Sequence, residues 1–524
     1  MSLSRAIATV GGLTMLSRVF GFARDLLTAM ILGAGPMADA FFVALKLPNF
    51  FRRLFAEGAF SAAFVPMVSE KIEIEGKQAG KAMAERAMAI MIAFLIPFVL
   101  LGLLFMPALV TVLAPGFIDE PQKFQAAIDL ARITFPYLLL ISVTALLGGL
   151  LNSMGRFAPF AAAPIIFNLT LIGGLGYAQY AGTSPADAMA WAVSVAGILQ
   201  LAFLLWFAHR LGILPHLIRP SLSPDMKKLL RLMVPGIIGG GVMQINLMID
   251  TILASLLASG AISWLFYADR MYQLPLGVIG IAIGTALLPG LSRAMSAGRE
   301  KEAMHLLSRA LEYGLLLALP SALGLGIIAE QIIGGLFQYG RFDDFDTAQT
   351  AMALSAYALG IPAYVGVKVL NAAYFARQDT ASPVRIAILC TAINTCGSLL
   401  LIQPLGHAGI ALATGITAWL NLALLVRGLR KRGQFNLDQR FIIRLPRIIG
   451  AGAVMALLLA AILLVTGPMV LDLNFGADPV MRVIWMLALI GLGAIGFTIA
   501  AILFGAGKIR EITAGLGTPK PPAA

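Results

Sequence analysis

The sequence predicts an all-α polytopic membrane protein with fourteen spanning helices, built as two six-helix halves and a two-helix extension. Three observations predict it. Apolar residues make up 59% of the 524 and charged residues 12%, with a mean hydropathy of +0.89; soluble domains run nearer about 45–50% apolar and 25% charged. Apolar runs of about 20 residues, each long enough to cross a bilayer as a helix, recur along the whole chain. Finally, once the runs are counted as helices, the basic residues gather on one side.

Taken in order, the helices cover roughly 5–34, 37–69, 87–113, 125–152, 158–180, 187–208, 229–258, 260–292, 310–337, 347–376, 383–403, 408–427, 448–467 and 480–505. The first run is longer than the apolar core of a signal peptide and holds Arg18 and Arg24, so it reads as a helix that is kept. The second contains "KLPNFFRRLFAEGAF", with Lys46, Arg52, Arg53 and Glu57 inside an otherwise apolar stretch. The seventh holds Asp250, and the eighth holds Ser263, Tyr267, Asp269 and Arg270. Cys390 and Cys396 lie six apart on the eleventh and point to different faces, which suits packing and neither a disulfide framework nor a metal site. The last two helices carry almost no charge.

Assigning loops to alternate sides puts 27 of the 38 Lys and Arg on the side of the N-terminus and three, Lys123, Arg341 and Arg482, on the other. By the positive-inside rule both termini are cytoplasmic. The same asymmetry accounts for the net charge of +12 without nucleic acid as a partner.

The chain also repeats. "AFVPMVSE" (63–70) corresponds to "ALLPGLSR" (286–293), "ALKLP" (44–48) to "MYQLP" (271–275), and "AVSVAGILQLAFLL" (192–205) to "ATGITAWLNLALL" (413–425). These offsets place the first half at 1–220, the second at 221–432 and the extension at 433–505, with 506–524 as a disordered cytoplasmic tail. Six helices return the chain to its starting side, so the halves share orientation. In such designs the substrate site lies between the halves near the midplane, and one half rocks against the other.

Eight basic residues remain inside helices: Arg18, Arg24, Lys46, Arg52, Arg53, Arg132, Arg270 and Lys368. Arg132 lies near a helix end and can snorkel. Lys46, Arg53 and Glu57 fall at i, i+7 and i+11, a single stripe on an ideal helix. Gly21, between Arg18 and Arg24, offers a bend that would point both inward. The plainer reading is that Asp25, Asp39, Glu57 and Asp269 neutralise these cations in structural pairs. The five arginines outnumber those carboxylates, however, and buried surplus cations call for an anion or water. Arginine meets phosphate through two parallel hydrogen bonds, so the surplus points to an anionic substrate, a diphosphate, in a wet cavity.

"SRVFGFARD", "ADAFFVALKLPNFFRRLFAEGAFSAAFVP" and "ADRMYQLPLGVIGIAIGTALLP" resemble the signatures of the MurJ (MviN) family of bacterial lipid II flippases, in the MOP exporter superfamily. The resemblance implies an inner-membrane protein that moves the undecaprenyl-diphosphate-linked peptidoglycan precursor from the cytoplasmic to the periplasmic leaflet, alongside membrane lipids and the cell wall synthesis machinery. It implies that Arg18, Arg24, Arg52 and Arg270 line a cationic cavity, with Asp39 and Ser263 also functional; Arg53, Lys46, Glu57 and Asp269 join them by position. It also implies that the last two helices form a groove for the lipid tail. Gln273 departs from the glutamate expected one turn after Arg270. Asp250, Asn394 and Thr414 resemble a sodium site of some members, with Ser398 where a second carboxylate can stand; coupling to membrane potential, Na+ or H+ follows as an expectation, with no other cofactor. The plainer reading of Asp250 is a protonated carboxyl, or one hydrogen-bonded to Asn246.

Three other functions compete. A multidrug/cation antiporter of the superfamily should line its cavity with carboxylates and aromatics, and this one is basic. A flippase for another polyprenyl-diphosphate glycan shares the chemistry and differs only at the helix-two motif. An enzyme acting on prenyl diphosphates needs a base or metal carboxylates on substantial loops, but the outer loops are short, and His209, His216, His305 and His407 are scattered. No ATPase-type glycine loop is present in the sequence. Transport without catalysis is the reading that remains.

Overall fold

The computed structural model describes residues 3–53, 59–472 and 478–507. Everything described is helical apart from turns and short connections, and the chain divides into two compact units. Unit 1 comprises Met1–Ser263 together with Gly340–Phe342, and unit 2 the remainder. The division falls at Ser263, whereas the internal repeat joins its halves near residue 220. The two boundaries have different origins, since one follows packing and the other follows sequence similarity.

In unit 1 the elements are α1 (Leu3–Leu32), α2 (Pro36–Arg52), α3 (Ala59–Glu75), α4 (Lys77–Leu104), α5 (Met106–Leu113), a 3-10 turn (Pro115–Asp119), α6 (Pro121–Thr134), α7 (Tyr137–Ser153), α8 (Ala158–Ala181), α9 (Pro185–Arg210) and α10 (Pro224–Ser255). Proline explains several of the breaks. Pro107 stands in the first turn of α5 and Pro136 directly precedes α7, positions where a missing N–H costs no helical hydrogen bond. The second predicted helix, read as one run over 37–69, is described as α2 and α3 with 54–58 between them outside the described residues. α1 is one uninterrupted helix through Gly21, with Arg18 and Arg24 on either side of it.

α1 packs on α8, α8 on α9, α2 on α6, and α3 on α4, α7 and α10. Phe64, Met83, Leu147, Leu150 and Leu204 form the core toward the basic loops. Within a bilayer, dispersion and close fit drive such packing, because lipid tails are as apolar as leucine. Small residues therefore stand opposite rings: a Cβ on Gly102 would collide with Phe135, and one on Gly148 with Phe160. At the opposite end, Arg341 N–H donates to the Met30 carbonyl at 2.9 Å, closing α1 under the Gly340–Phe342 segment. Gly33 and Gly340, at φ +77° and +62°, occupy a left-handed conformation that side chains resist, and each lies against backbone of the other segment.

Unit 2 contains α11 (Ala261–Ser296, beginning at the boundary), α12 (Glu300–Ile327), α13 (Ala329–Phe337), α14 (Asp344–Ala358), α15 (Ile361–Ala376), α16 (Ala381–Leu405), α17 (His407–Lys431), α18 (Gln439–Asp472) and α19 (Pro479–Leu503). α14 and α15 form one span bent by 41°, with Pro362 opening the second half. α18 packs on α19 and α12, and α19 on α13, so the extension is docked within unit 2. The predicted tail 506–524 lies outside the described residues from 508 onward. Among the described residues, nine spans are long and apolar enough to cross a membrane, and the bent pair is a tenth. The expected fourteen draws also on α1, α2 with α3, α10 and α11. Exposed Phe94, Leu100, Ile198, Leu400, Leu464 and Ile495 give these helices an apolar outer surface suited to lipid.

Candidate functional site

In unit 1, Arg24 of α1 is held at three points. Its Nε and one terminal nitrogen donate to Asp25 Oδ1 at 3.1 and 2.6 Å, and the other terminal nitrogen donates to Asn168 Oδ1 at 2.9 Å. The Asn168 amide in turn donates to the Ser17 carbonyl at 3.0 Å, and its side chain passes over Gly21. Phe167 presents its ring to the guanidinium at 5.9 Å. Asn168 was not among the residues singled out from the sequence. Its signal was there: a carboxamide in the apolar run "PIIFNLTLIGG" of a spanning helix needs a polar partner. Arg18, six residues earlier, is exposed and makes no ion pair among the described residues.

Along α2 the charges divide into two groups. Lys46 donates to Thr251 Oγ1 on α10, and Arg52 ends the helix half-buried, with exposed Arg53 as the following cap. Glu57 lies outside the described residues, so the stripe it was to share with Lys46 and Arg53 is not described. At the other end of α2, Asp39 is 1% exposed. Its Oδ2 accepts the Gly260 N–H at 2.7 Å, and its Oδ1 accepts the Ser263 N–H and Oγ at 2.9 and 2.6 Å. Asp39 thus caps the first turn of α11, where free N–H groups and the helix dipole favour an anion. Among the described residues Asp39 makes no ion pair with an arginine, the pairing that the plainer reading offered. Its cation is Lys123 of α6, with Nζ 3.2 Å from Oδ2.

Along α11, Ser263, the last residue of unit 1 before the boundary, is buried; in unit 2, Tyr267 is buried and Arg270 half-buried. The guanidinium lies 4.7 Å from the Phe266 ring centroid. Asp269 accepts a hydrogen bond from Gln273 one turn on, so the glutamine that departs from the family pattern has a polar role inside its own helix.

The three residues of the expected cation site divide between the units. Asp250, in unit 1, accepts from Asn246 Nδ2 at 3.3 Å, as the plainer reading of that carboxyl required. In unit 2, Thr414 Oγ1 lies 3.4 Å from Asn394 Oδ1, and Ser398 Oγ, one turn beyond Asn394, is buried with no hydrogen-bond partner among the described residues. Three uncharged oxygens thus stand on neighbouring turns of the packed pair α16 and α17.

Within unit 1, the chemistry on offer is that of the Arg24 guanidinium, oriented by Asp25 and Asn168. Comparison with known proteins bears on the family. A sequence model of the family described as "Lipid II flippase MurJ" matches residues 28–473. The chain is 43% identical over 459 residues to a probable lipid II flippase MurJ of Rhizobium tropici, covering 87% of this chain and 86% of that one. Among solved structures it is similar to a lipid II flippase MurJ in an inward closed conformation, at 25% identity and a TM-score of 0.76, covering 94% of this chain and 98% of that one. A multidrug resistance MATE family transporter of the MOP superfamily shares the fold at 15% identity and a TM-score of 0.66, over 82% and 98% of the chains. The chain therefore belongs to the lipid II flippase MurJ family.

Proposed function

We propose that this protein carries lipid II from the cytoplasmic to the periplasmic leaflet of the bacterial inner membrane, with both termini cytoplasmic. The observation that carries the reading is the set of arginines placed in apolar stretches of the chain, Arg18 and Arg24 on α1, Arg52 and Arg53 at the end of α2, and Arg270 on α11. A diphosphate supplies the missing negative charge, and arginine binds it through paired charge-assisted hydrogen bonds. Arg24 is held by Asp25 and Asn168 before substrate arrives, so less side-chain entropy is lost on binding. Asp39 and Ser263 serve the closure at the periplasmic end, and Lys46 and Asp269 keep the helices around the cavity in register. Glu57 belongs to the same charged set by its place in the helix-two motif.

The two halves alternate access to the site, and α18 with α19 accompanies the lipid tail past the bilayer core. No bond is made or broken, so the protein is a transporter and not an enzyme. Asn394 and Thr414, and separately Asp250, offer oxygens for coupling to a monovalent cation, whose binding would add a positive charge that follows the gradient. Lipid II, surrounding lipids and the cell wall synthesis machinery are the partners.

The test is flipping of a labelled lipid II in vesicles, with a different polyprenyl-diphosphate glycan as control. Arg24→Ala or Arg270→Ala should abolish transport while the protein still inserts. Full transport by the double variant would remove the diphosphate reading. Preference for the control glycan would favour a flippase for another lipid-linked sugar, and export of a cationic drug would favour the antiporter.

A further inference from the structure

Lys123 is a buried cation on the side of the protein that holds only three basic residues. It is 3% exposed. Its Nζ donates to Ser259 Oγ at 2.7 Å and to Glu120 Oε1 at 3.3 Å, and it forms an ion pair with Asp39, 3.2 Å from Oδ2. The Phe117 ring covers it at 4.2 Å. Ser259 completes the circuit by donating to both Glu120 oxygens, at 3.0 and 2.9 Å. Next to this circuit, Gly116 N–H donates to Ser255 Oγ at 3.3 Å, and a Cβ on Gly116 would collide with the Ser255 carbonyl. The hairpin 114–123 thus forms a seat for the segment 255–263 that joins α10 to α11.

We propose that Lys123 is the positioning residue of this closure. The contact of Asp39 with Ser263 and Gly260 brings an anion out of water against the start of α11, and dipolar donors alone do not offset a buried charge. Lys123 supplies the opposite charge and also grips Ser259 on the segment being closed. It therefore touches both parties, α2 through Asp39 and the α10–α11 link through Ser259. Without it, Asp39 and Glu120 flank Ser259 as two carboxylates with no cation among these contacts, and the arrangement that hydrates them is the open one. The inference rests on alternating access for its role in transport, but the closure itself can be read with no lipid II present.

The experiment uses the full chain in vesicles, with Ala261→Cys as reporter and Cys396→Ser to remove the exposed thiol. Ala261 is 1% exposed in the closure. A membrane-impermeant maleimide reads position 261, and a small permeant one reads native Cys390, buried in unit 2, as a monitor of the fold. Lys123→Met should raise the labelling rate at 261 at least tenfold while Cys390 stays protected. Lys123→Arg should remain close to the parent rate. Adding Asp39→Asn to Lys123→Met should return labelling to within about threefold of the parent, since the uncompensated anion is gone. Parent-rate labelling in Lys123→Met would overturn the proposal. So would a double variant as fast as the single, which would exclude charge as the cause. Equal exposure of Cys390 and position 261 would make Lys123 a residue of the fold and not of the closure.

Discussion

Arg24 has five N–H donors in a rigid fork. Three of those donors are engaged by Asp25 and Asn168, which orients the fork. A hydrogen bond to a charged group contributes about 1.5–3 kcal/mol, so Asn168→Ala should slow lipid II flipping roughly tenfold through lost orientation. Measured in vesicles, an unchanged rate would leave Asn168 as a tie between α8 and the Ser17 carbonyl only. A second residue-scale prediction concerns Asp379, in the link between α15 and α16. The Arg432 guanidinium 2.6 Å away, helped by the Ser382 N–H, pulls its carboxyl down to about 2. A carboxyl whose pKa is depressed by folding stabilises the protein above its unfolded value and loses that contribution as pH falls toward its folded one. The melting-temperature gap between wild type and Asp379→Asn should therefore be full above about pH 4 and shrink toward pH 2. A gap that stayed constant over that window would exclude the ion pair as its source.

At the scale of elements, the docking of α18 on α12 depends on one carboxylate. Glu312 is 1% exposed and accepts from Arg440 at 3.0 Å, from Arg444 at 2.6 Å and from Arg309. Asp438 receives Arg309 as well and caps α18 by accepting the Phe441 N–H at 2.8 Å. Burial at this depth makes the pairing costly to break from one side, by about 3–5 kcal/mol. Glu312→Ala should lower the melting temperature of the purified protein by several degrees and reduce its yield, and Glu312→Gln should do less. The element boundaries also show where periodicity runs out. Apolar runs located the spans, but α5, α7 and α15 begin where Pro107, Pro136 and Pro362 let the backbone restart, and a hydropathy run does not register a change of axis.

At the scale of the whole molecule, orientation and drive are the open quantities. Single cysteines at the exposed positions Gln78 and Lys431 should label only from the cytoplasm, and those at Met37 and Phe345 only from the periplasm. Labelling of positions 37 and 78 from the same side would destroy the assignment of the first helices. For the drive, transport by wild type and Asp250→Asn should be compared under an imposed potential, with and without a sodium gradient. The potential supplies about 2.3 kcal/mol per charge per 100 mV. The variant should lose its response to one gradient; identical behaviour under every gradient would make Asp250 structural.

Class and family were legible in the sequence. Composition reports the solvent directly, because a chain that is 59% apolar is not soluble in water, and a charge inside an apolar run is costly enough to mark itself. Which charge meets which partner was decided only by tertiary structure. Asp39 sits seven residues from Lys46 on the same helix, yet its cation is Lys123 and its other partners are Gly260 and Ser263. Asn168 reaches Arg24 across 144 residues. Ion pairs and hydrogen bonds act over about 3 Å in space, and nothing in linear order encodes that distance until the helices have packed.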